Sequence, residues 1–306
     1  MTFEINPEMH GQDLRVSCLA DWLEFQAFKG MMAFTEADLA DYISDSDWQR
    51  ILEPKYIGGE WNDNRIGDRQ DKSREAAGRV LNILAQRKNL LEGKYPFELR
   101  RGRLALKQGE GKVYLWYLFV SLVHGLGLRG IPAPAIEFER AVTVGLCDLG
   151  LPALTVGTSA QNYDFGSRIQ DITCKFPHLV ETLDDVVRSR HLNDGGIDTF
   201  ASFPCAMDTR HGHWAFIGQS TVGKSDDWSR KIHEVKPNFW HQVFGQRIEP
   251  IAFFATPHHI QDDYLNALFQ DHRRCLLDRI RLTLWTSQPP ASFQAYETAL
   301  HAVIML

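Results

Sequence analysis

Ten residues, Gly125 to Pro134 (Gly-Leu-Gly-Leu-Arg-Gly-Ile-Pro-Ala-Pro), carry three glycines and two prolines. Such a run ends a helix and begins a connector, and the hydrophobic pattern differs on its two sides. Before it the periodicity is helical. Asp13 to Phe28 places Leu19, Trp22, Leu23, Phe25 and Ala27 at helical spacing, and Thr35-Glu-Ala-Asp38 reads as a capping box opening a helix to about Ile51. A polar loop is expected over Gly58 to Ser73, helix again over Arg74 to Leu91, a turn at Gly109 to Lys112, and an apolar helix from Val113. After it, a helix over Ile136 to Leu149 precedes short β-like runs at Ala153–Val156, Ile169–Cys174, Gly196–Phe203 and His213–Ile217. A helix over Asp226–Val235, a strand over Pro250–Ala255 and a long helix over Asp262–Trp285 complete the pattern. Helix, strands, helix, strand predicts an α/β domain over residues 131–306, preceded by a mainly helical domain over 1–130.

The 306 residues include 33 basic and 39 acidic side chains, a formal charge of −6. This excludes a polycation and confines nucleic-acid contact to local basic surface. Two runs qualify. Lys94 to Lys107 holds Arg100, Arg101 and Arg103, and is either a solvated face beside a helix or a track for phosphates. Arg273, Arg274, Arg279 and Arg281, interleaved with Asp271 and Asp278, form either a salt-bridged helix face or a second phosphate contact. The N-terminus has no basic and apolar leader, and no apolar run reaches the roughly 18 residues of a membrane span. Five scattered cysteines without a Cys-x-x-Cys pair read as buried thiols, and a cytoplasmic location is expected. His211, His213, His258 and His259 read as exposed or capping histidines, because no convergent third ligand accompanies them.

Two motifs overlap between Asn193 and Ser225. Gly218-Gln-Ser-Thr-Val-Gly-Lys-Ser225 matches the phosphate-binding loop G-x-x-x-x-G-K-[ST]. That loop should open directly into a helix whose amides hold the phosphates, whereas Asp226-Asp227 follow at once and put carboxylates there. The second motif is Asn193-Asp-Gly-Gly-Ile-Asp198, a β-like run, a polar turn (Asp208 to His213) and a strand ending in Gln219. An aspartate opening one strand of a hairpin and a polar residue on its partner can together present oxygens to a hard cation such as magnesium. Alternation puts Trp214, Phe216 and Gly218 on one face and Ala215, Ile217 and Gln219 on the other. Asp198 and Gln219 are thus candidate metal ligands.

With Asp-Gly-Gly-Ile-Asp198, strand, turn, strand and Gln219 in place, the chain resembles the restriction-endonuclease-like PD-(D/E)XK nucleases. The similarity is to their Mrr-like branch, where a glutamine can replace the second acid. The tail Gly-Gln219-Ser-Thr-Val-Gly-Lys-Ser-Asp-Asp-Trp228-Ser-Arg-Lys231 is similar to bacterial defence-island nucleases. The resemblance implies a mixed sheet flanked by helices and hydrolysis of a nucleic-acid phosphodiester, DNA first, with Mg2+ or Mn2+. It implies Asp198, Gln219 and the Ser220 main-chain carbonyl as metal ligands, Glu139 on the preceding helix as an accessory acid, and a glycine-bearing connection at Tyr163 to Arg168. The family's lysine two residues past the second acid is Thr221 here, leaving Lys224 or Lys231; Lys231 is preferred because Asp226-Asp227 fix the start of its helix. The acidic chain is expected to receive its substrate through a partner, such as an ATPase or sensor subunit, or through self-association, with Asp21-Trp-Leu-Glu-Phe25 as the docking surface. A nucleotide-binding switch and a non-catalytic scaffold of the same fold are the alternatives.

Overall fold

The computed structural model describes residues 12–30, 35–46, 66–100, 103–107, 109–157, 165–179, 181, 195–203, 213–244 and 248–303. Arg101, Cys205, His211, Tyr163 and residues 58–65 of the expected polar loop lie outside them, and Arg100 is described in its backbone alone.

The first layer is helical. Helix α1 (Gln12–Phe28), α2 (Glu36–Asp45) and α3 (Ile66–Leu91) follow the apolar spacing. Thr35 caps α2 as a full capping box, its side chain accepting from Asp38 N and the Asp38 carboxylate accepting from Thr35 N. Helix α3 begins at Ile66, inside the stretch expected as loop: no glycine or proline interrupts Asp68 to Ser73, and Gln70, Asp71 and Lys72 stay exposed. The basic run after it forms a hairpin, β1 (Phe97–Arg100) with β2 (Arg103–Leu106), which packs on α1. Helix α4 (Lys112–Gly125) is buried on every side from Tyr114 to Val123, which is why its sequence shows no polar stripe. After it Gly127 and Gly130, both at positive φ, turn the chain into α5 (Pro134–Asp148), with Pro134 in its first turn.

The second half is a five-stranded sheet in the order β3-β4-β5-β6-β7. Strands β3 (Ala153–Thr155), β4 (Thr199–Phe203) and β5 (Trp214–Ser220) run antiparallel, and β6 (Ile251–Ala255) and β7 (Cys275–Leu277) continue parallel to β5. The parallel steps need crossovers. Helices α7 (Trp228–Glu234) and α8 (Pro237–Val243) supply the first, and α9 (Asp262–His272) the second. Helix α6 (Phe165–Lys175) lies between β3 and β4, and α10 (Arg279–Trp285) and α11 (Phe293–Ala302) close the chain.

Both faces of the sheet are covered. One face, with Ala153, Ala201, Phe216, Phe253, Ala255 and Leu277, shares a cluster with α4, α5, α10 and the N-terminal helices. The other, with Phe200, Ala215, Ile217 and Ala252, packs on α6 and α8, and beyond it Phe254 and Leu276 meet α7 and α9. The expected alternation along β5 therefore holds. The secondary structure changes type near residue 130, but the packing runs across it, since the first cluster combines Leu19, Phe25 and Val80 with Phe253 and Leu277.

Other expectations change in the structure as well. Ile169–Cys174 is helix, because Phe165, Ile169, Ile172 and Phe176 form one buried helical stripe. Asp262–Trp285 is two helices with β7 between them, broken at Arg273 in the left-handed region (φ 52). Among the described cysteines only Cys18 is buried.

Asp21 to Phe25 is not a surface. All five residues are buried, and Asp21 and Glu24 meet two interior arginines. Arg87 of α3 lies 2.7 Å from Asp21 Oδ1 and 2.9 Å from Glu24 Oε2. Arg279 donates to both Asp21 oxygens at 2.8 and 2.6 Å. Tyr95 and Tyr114 donate to Glu24, and Arg87 Nε donates to His259 Nδ1 at 3.1 Å. Burial pushes the Asp21 carboxyl up, yet Arg279 and Arg87 win and hold it well below the usual carboxylate range. Burial, reinforced by the same arginines, keeps His259 neutral with its pKa well below the ordinary imidazole value. His213, His258 and His259 are all interior residues, correcting the expectation of exposed or capping ones; the helix after His258-His259 begins at Asp262 with Gln261 as its N-cap.

Candidate functional site

The tips of β3, β4 and β5 meet at Asp198. It precedes β4 directly, after Gly195 and Gly196, both at positive φ; a Cβ on Gly196 would fall 2.2 Å from Glu234 O, so only glycine fits there. The Asp198 N–H is donated to Gly218 O at 2.7 Å, and its carbonyl accepts from Val156 N and Gly157 N at 2.7 and 3.1 Å. Its Oδ2 accepts from Ser220 N at 2.7 Å. Backbone and side chain of Asp198 therefore straddle Gln219, the residue between Gly218 and Ser220. The aspartate is fixed by three strands and is 3% exposed.

Glu139 reaches the same place from α5. One helical turn on, Thr143 Oγ1 bonds Thr155 Oγ1 at 2.8 Å, which seats the helix over the β3 tip. A Cβ added to Gly157 would stand 2.6 Å from Glu139 Oε2 and 2.8 Å from Asp198 Oδ1. The two carboxylates converge on a space that any larger residue at 157 would fill. Gly157 carries no signal in the sequence, since its role exists only once α5 and β4 are brought together.

Gln219 lies on the face of Ala215 and Ile217, is 5% exposed, and its Oε1 has no hydrogen-bond partner among the described residues. A buried amide oxygen left so is costly. Ser220 Oγ is in the same condition. Among the described residues no group of three or more His, Cys, Asp or Glu side chains is placed to hold a metal. A cation at this point would draw on two carboxylates, an amide oxygen, a main-chain carbonyl and water, which suits a hard ion.

The basic candidates are dispersed. Lys231 on α7 forms an ion pair with Glu234 Oε2 at 3.3 Å. Lys224 is exposed in the loop that leaves β5. Arg103 is exposed on the hairpin packed against α1. Arg273 and Arg274 line an open groove of about 650 Å³ with Glu249, Ile251, Phe269 and Arg281. That groove lies at the start of β6, whereas Gln219 pairs with Phe254 three residues on, roughly 10 Å away along the strand.

The phosphate-loop match has a different geometry from the one its pattern names. Gly218 sits inside β5, paired with Thr199 and Phe253, and is glycine because a Cβ would lie 2.1 Å from the Phe253 ring. Thr221 N is donated to Ala255 O and Gly223 N to Thr221 Oγ1, so those amides are already engaged. A single turn, Ser225–Asp227, and the seven-residue α7 follow.

Compared with protein-family models, curated proteins and solved structures, the chain matches none. No helix among the described residues is long and apolar enough to cross a membrane.

Proposed function

We propose that the protein is a divalent-cation-dependent nuclease of the restriction-endonuclease-like type, acting on DNA. The observation that carries this reading is the convergence of Glu139 and Asp198 on the Cβ-sized space at Gly157, beside the unpartnered Gln219 Oε1. The order of elements supports it: a helix bearing the accessory acid, three antiparallel strands with the acid and amide at the tips of the second and third, then a crossover to a parallel strand.

Asp198 Oδ1, Gln219 Oε1 and the Ser220 carbonyl would hold Mg2+ or Mn2+, with Glu139 acting through a water. The bound ion would lower the pKa of its water and neutralise charge building on the phosphate. The chain's own contribution is positioning. Ser220 N–H fixes Asp198 Oδ2 while Oδ1 lies on the Gly157 side, and Glu139 would accept a proton from an attacking water. In hydrolysis the water oxygen bonds to phosphorus, one P–O ester bond breaks, and the departing oxygen gains a proton from solvent. Lys224 is the exposed ammonium nearest in sequence to Gln219; Lys231 is engaged by Glu234. The acidic net charge favours delivery of substrate by a partner protein or by self-association, and an anti-phage setting rests on the resemblance alone.

The test is cleavage of labelled DNA and RNA by pure protein with Mg2+ or Mn2+, set against Asp198→Asn. Asparagine keeps an acceptor for Ser220 N–H while removing the charge, so cleavage should fall by roughly a hundredfold or more with the fold retained. Cleavage unchanged in the variant would overturn the assignment. Calorimetric Mn2+ binding without any cutting would instead support the non-catalytic scaffold.

A further inference from the structure

Among the described residues, one buried cation on the Gln219 face of the sheet has no counter-charge. Arg168 is 7% exposed, and its Nε and Nη1 have no hydrogen-bond partner there. The other two arginines deepest in the interior, Arg87 and Arg279, are each matched by carboxylates. A guanidinium is always charged, and burying it unpaired is costly. An anion arriving there would relieve it through charge-assisted hydrogen bonds to the guanidinium.

The placement of Arg168 says which anion. It belongs to the buried stripe of α6 formed by Phe165, Arg168, Ile169 and Ile172, which packs on the sheet face carrying Ile217 and therefore Gln219. The helix runs alongside β4. Its start meets Gly195, whose Cβ would lie 3.0 Å from the Phe165 ring. Beyond its end, Phe176 packs on Phe200 with ring centroids 5.3 Å apart, and His178 Nε2 meets Ser202 Oγ at 3.1 Å. Arg168, in the first turn, thus belongs to the Asp198 end of β4. Glu139 approaches the strand tips from the α5 side of the sheet, and Arg168 from the opposite side.

We infer that Arg168 binds a phosphate of the nucleic-acid strand as it crosses the strand tips, donating to non-bridging oxygens. This inference rests on the nuclease reading for its ligand, though the anion site stands on Arg168 alone. The arrangement gives the site Glu139 on one side and a fixed cation on the other, with Asp198 at the strand tip between them. A phosphodiester placed between them has its charge compensated where an acidic protein otherwise repels it.

Three measurements on the full-length protein test it, with Arg168→Gln and Arg168→Lys. The first is the thermal unfolding midpoint against inorganic phosphate: the wild type should be stabilised, Arg168→Lys partly, and Arg168→Gln not at all. The second is oligonucleotide binding in the Asp198→Asn background, where Arg168→Gln should weaken affinity by roughly tenfold or more. The third is single-turnover cleavage, which should fall by roughly 10²–10³-fold in Arg168→Gln and recover in part with lysine. Cleavage and binding by Arg168→Gln equal to wild type would overturn the inference and leave the nuclease reading intact. Phosphate stabilisation that depends on Arg168, in a protein that cuts neither DNA nor RNA, would overturn the nuclease reading and keep the anion site. A phosphate effect equal in wild type and Arg168→Gln would show an adventitious ion only and reject the site.

Discussion

At the candidate site, the Cβ that Gly157 lacks matters as much as the acids beside it. Its backbone is in an ordinary region, so alanine there brings no conformational strain. The added methyl would instead sit under 3 Å from oxygens of both Glu139 and Asp198. Glu139 can swing its end away, but Asp198 is tied to Ser220 N and has little freedom. Gly157→Ala should therefore lower the unfolding midpoint modestly while weakening Mn2+ binding by about tenfold or more, read by calorimetry. Unchanged Mn2+ affinity would count against a cation between the two acids. Asp198 and Gln219 were legible as a pair because turn glycines, a β run and a polar strand end mark them in the sequence. Gly157 and Arg168 were not. Their meaning lies in what α5 and α6 bring against the sheet, and no local pattern records a tertiary neighbour.

Among the elements, α1, α3 and α10 are joined by charge as well as by apolar contact. Two acids of α1 face Arg87 of α3 and Arg279 of α10 in an interior closed to water. Replacing one member strands the others. Arg279→Leu should destabilise the protein by about 3–5 kcal/mol in urea unfolding, because Asp21 loses its bidentate partner while remaining buried. A loss under about 1 kcal/mol would mean that Arg87 alone satisfies both acids. Most helices were readable from 3.6-residue spacing, and α2 from its capping box. The exceptions have local causes. A three-residue strand such as β7 is too short to show a period, and the Ile169 stripe reads as helix only when Phe165 and Phe176 are counted with it.

For the whole molecule, His259, one of the interior histidines, sets a pH limit. His259 is held neutral, with a folded-state pKa below its unfolded value of about 6.5. The unfolded chain therefore takes up a proton that the folded one refuses. Stability from this group is complete above about pH 6.5 and declines as the pH falls below it, by at most about 1.4 kcal/mol per pH unit. Asp21 adds a second loss below its ordinary value of 3.8, since its folded-state pKa is depressed. Urea unfolding at pH 8, 7, 6 and 5 should show the first decline, and His259→Asn should flatten it; an equal slope in the variant would remove His259 as its source. The mixed α/β class came from periodicity and from the connector near residue 130, while the full order of elements and the continuity of packing across that connector did not.

That continuity has a genetic consequence. The strand tips bearing the acids rest on the same interior as the opening helices, so the front of the chain is a foundation for the back. A screen for inactive alleles would return lesions at Asp21 or Arg87 beside those at Asp198. The yield of soluble protein would separate the two groups: scarce for the first, normal for the second.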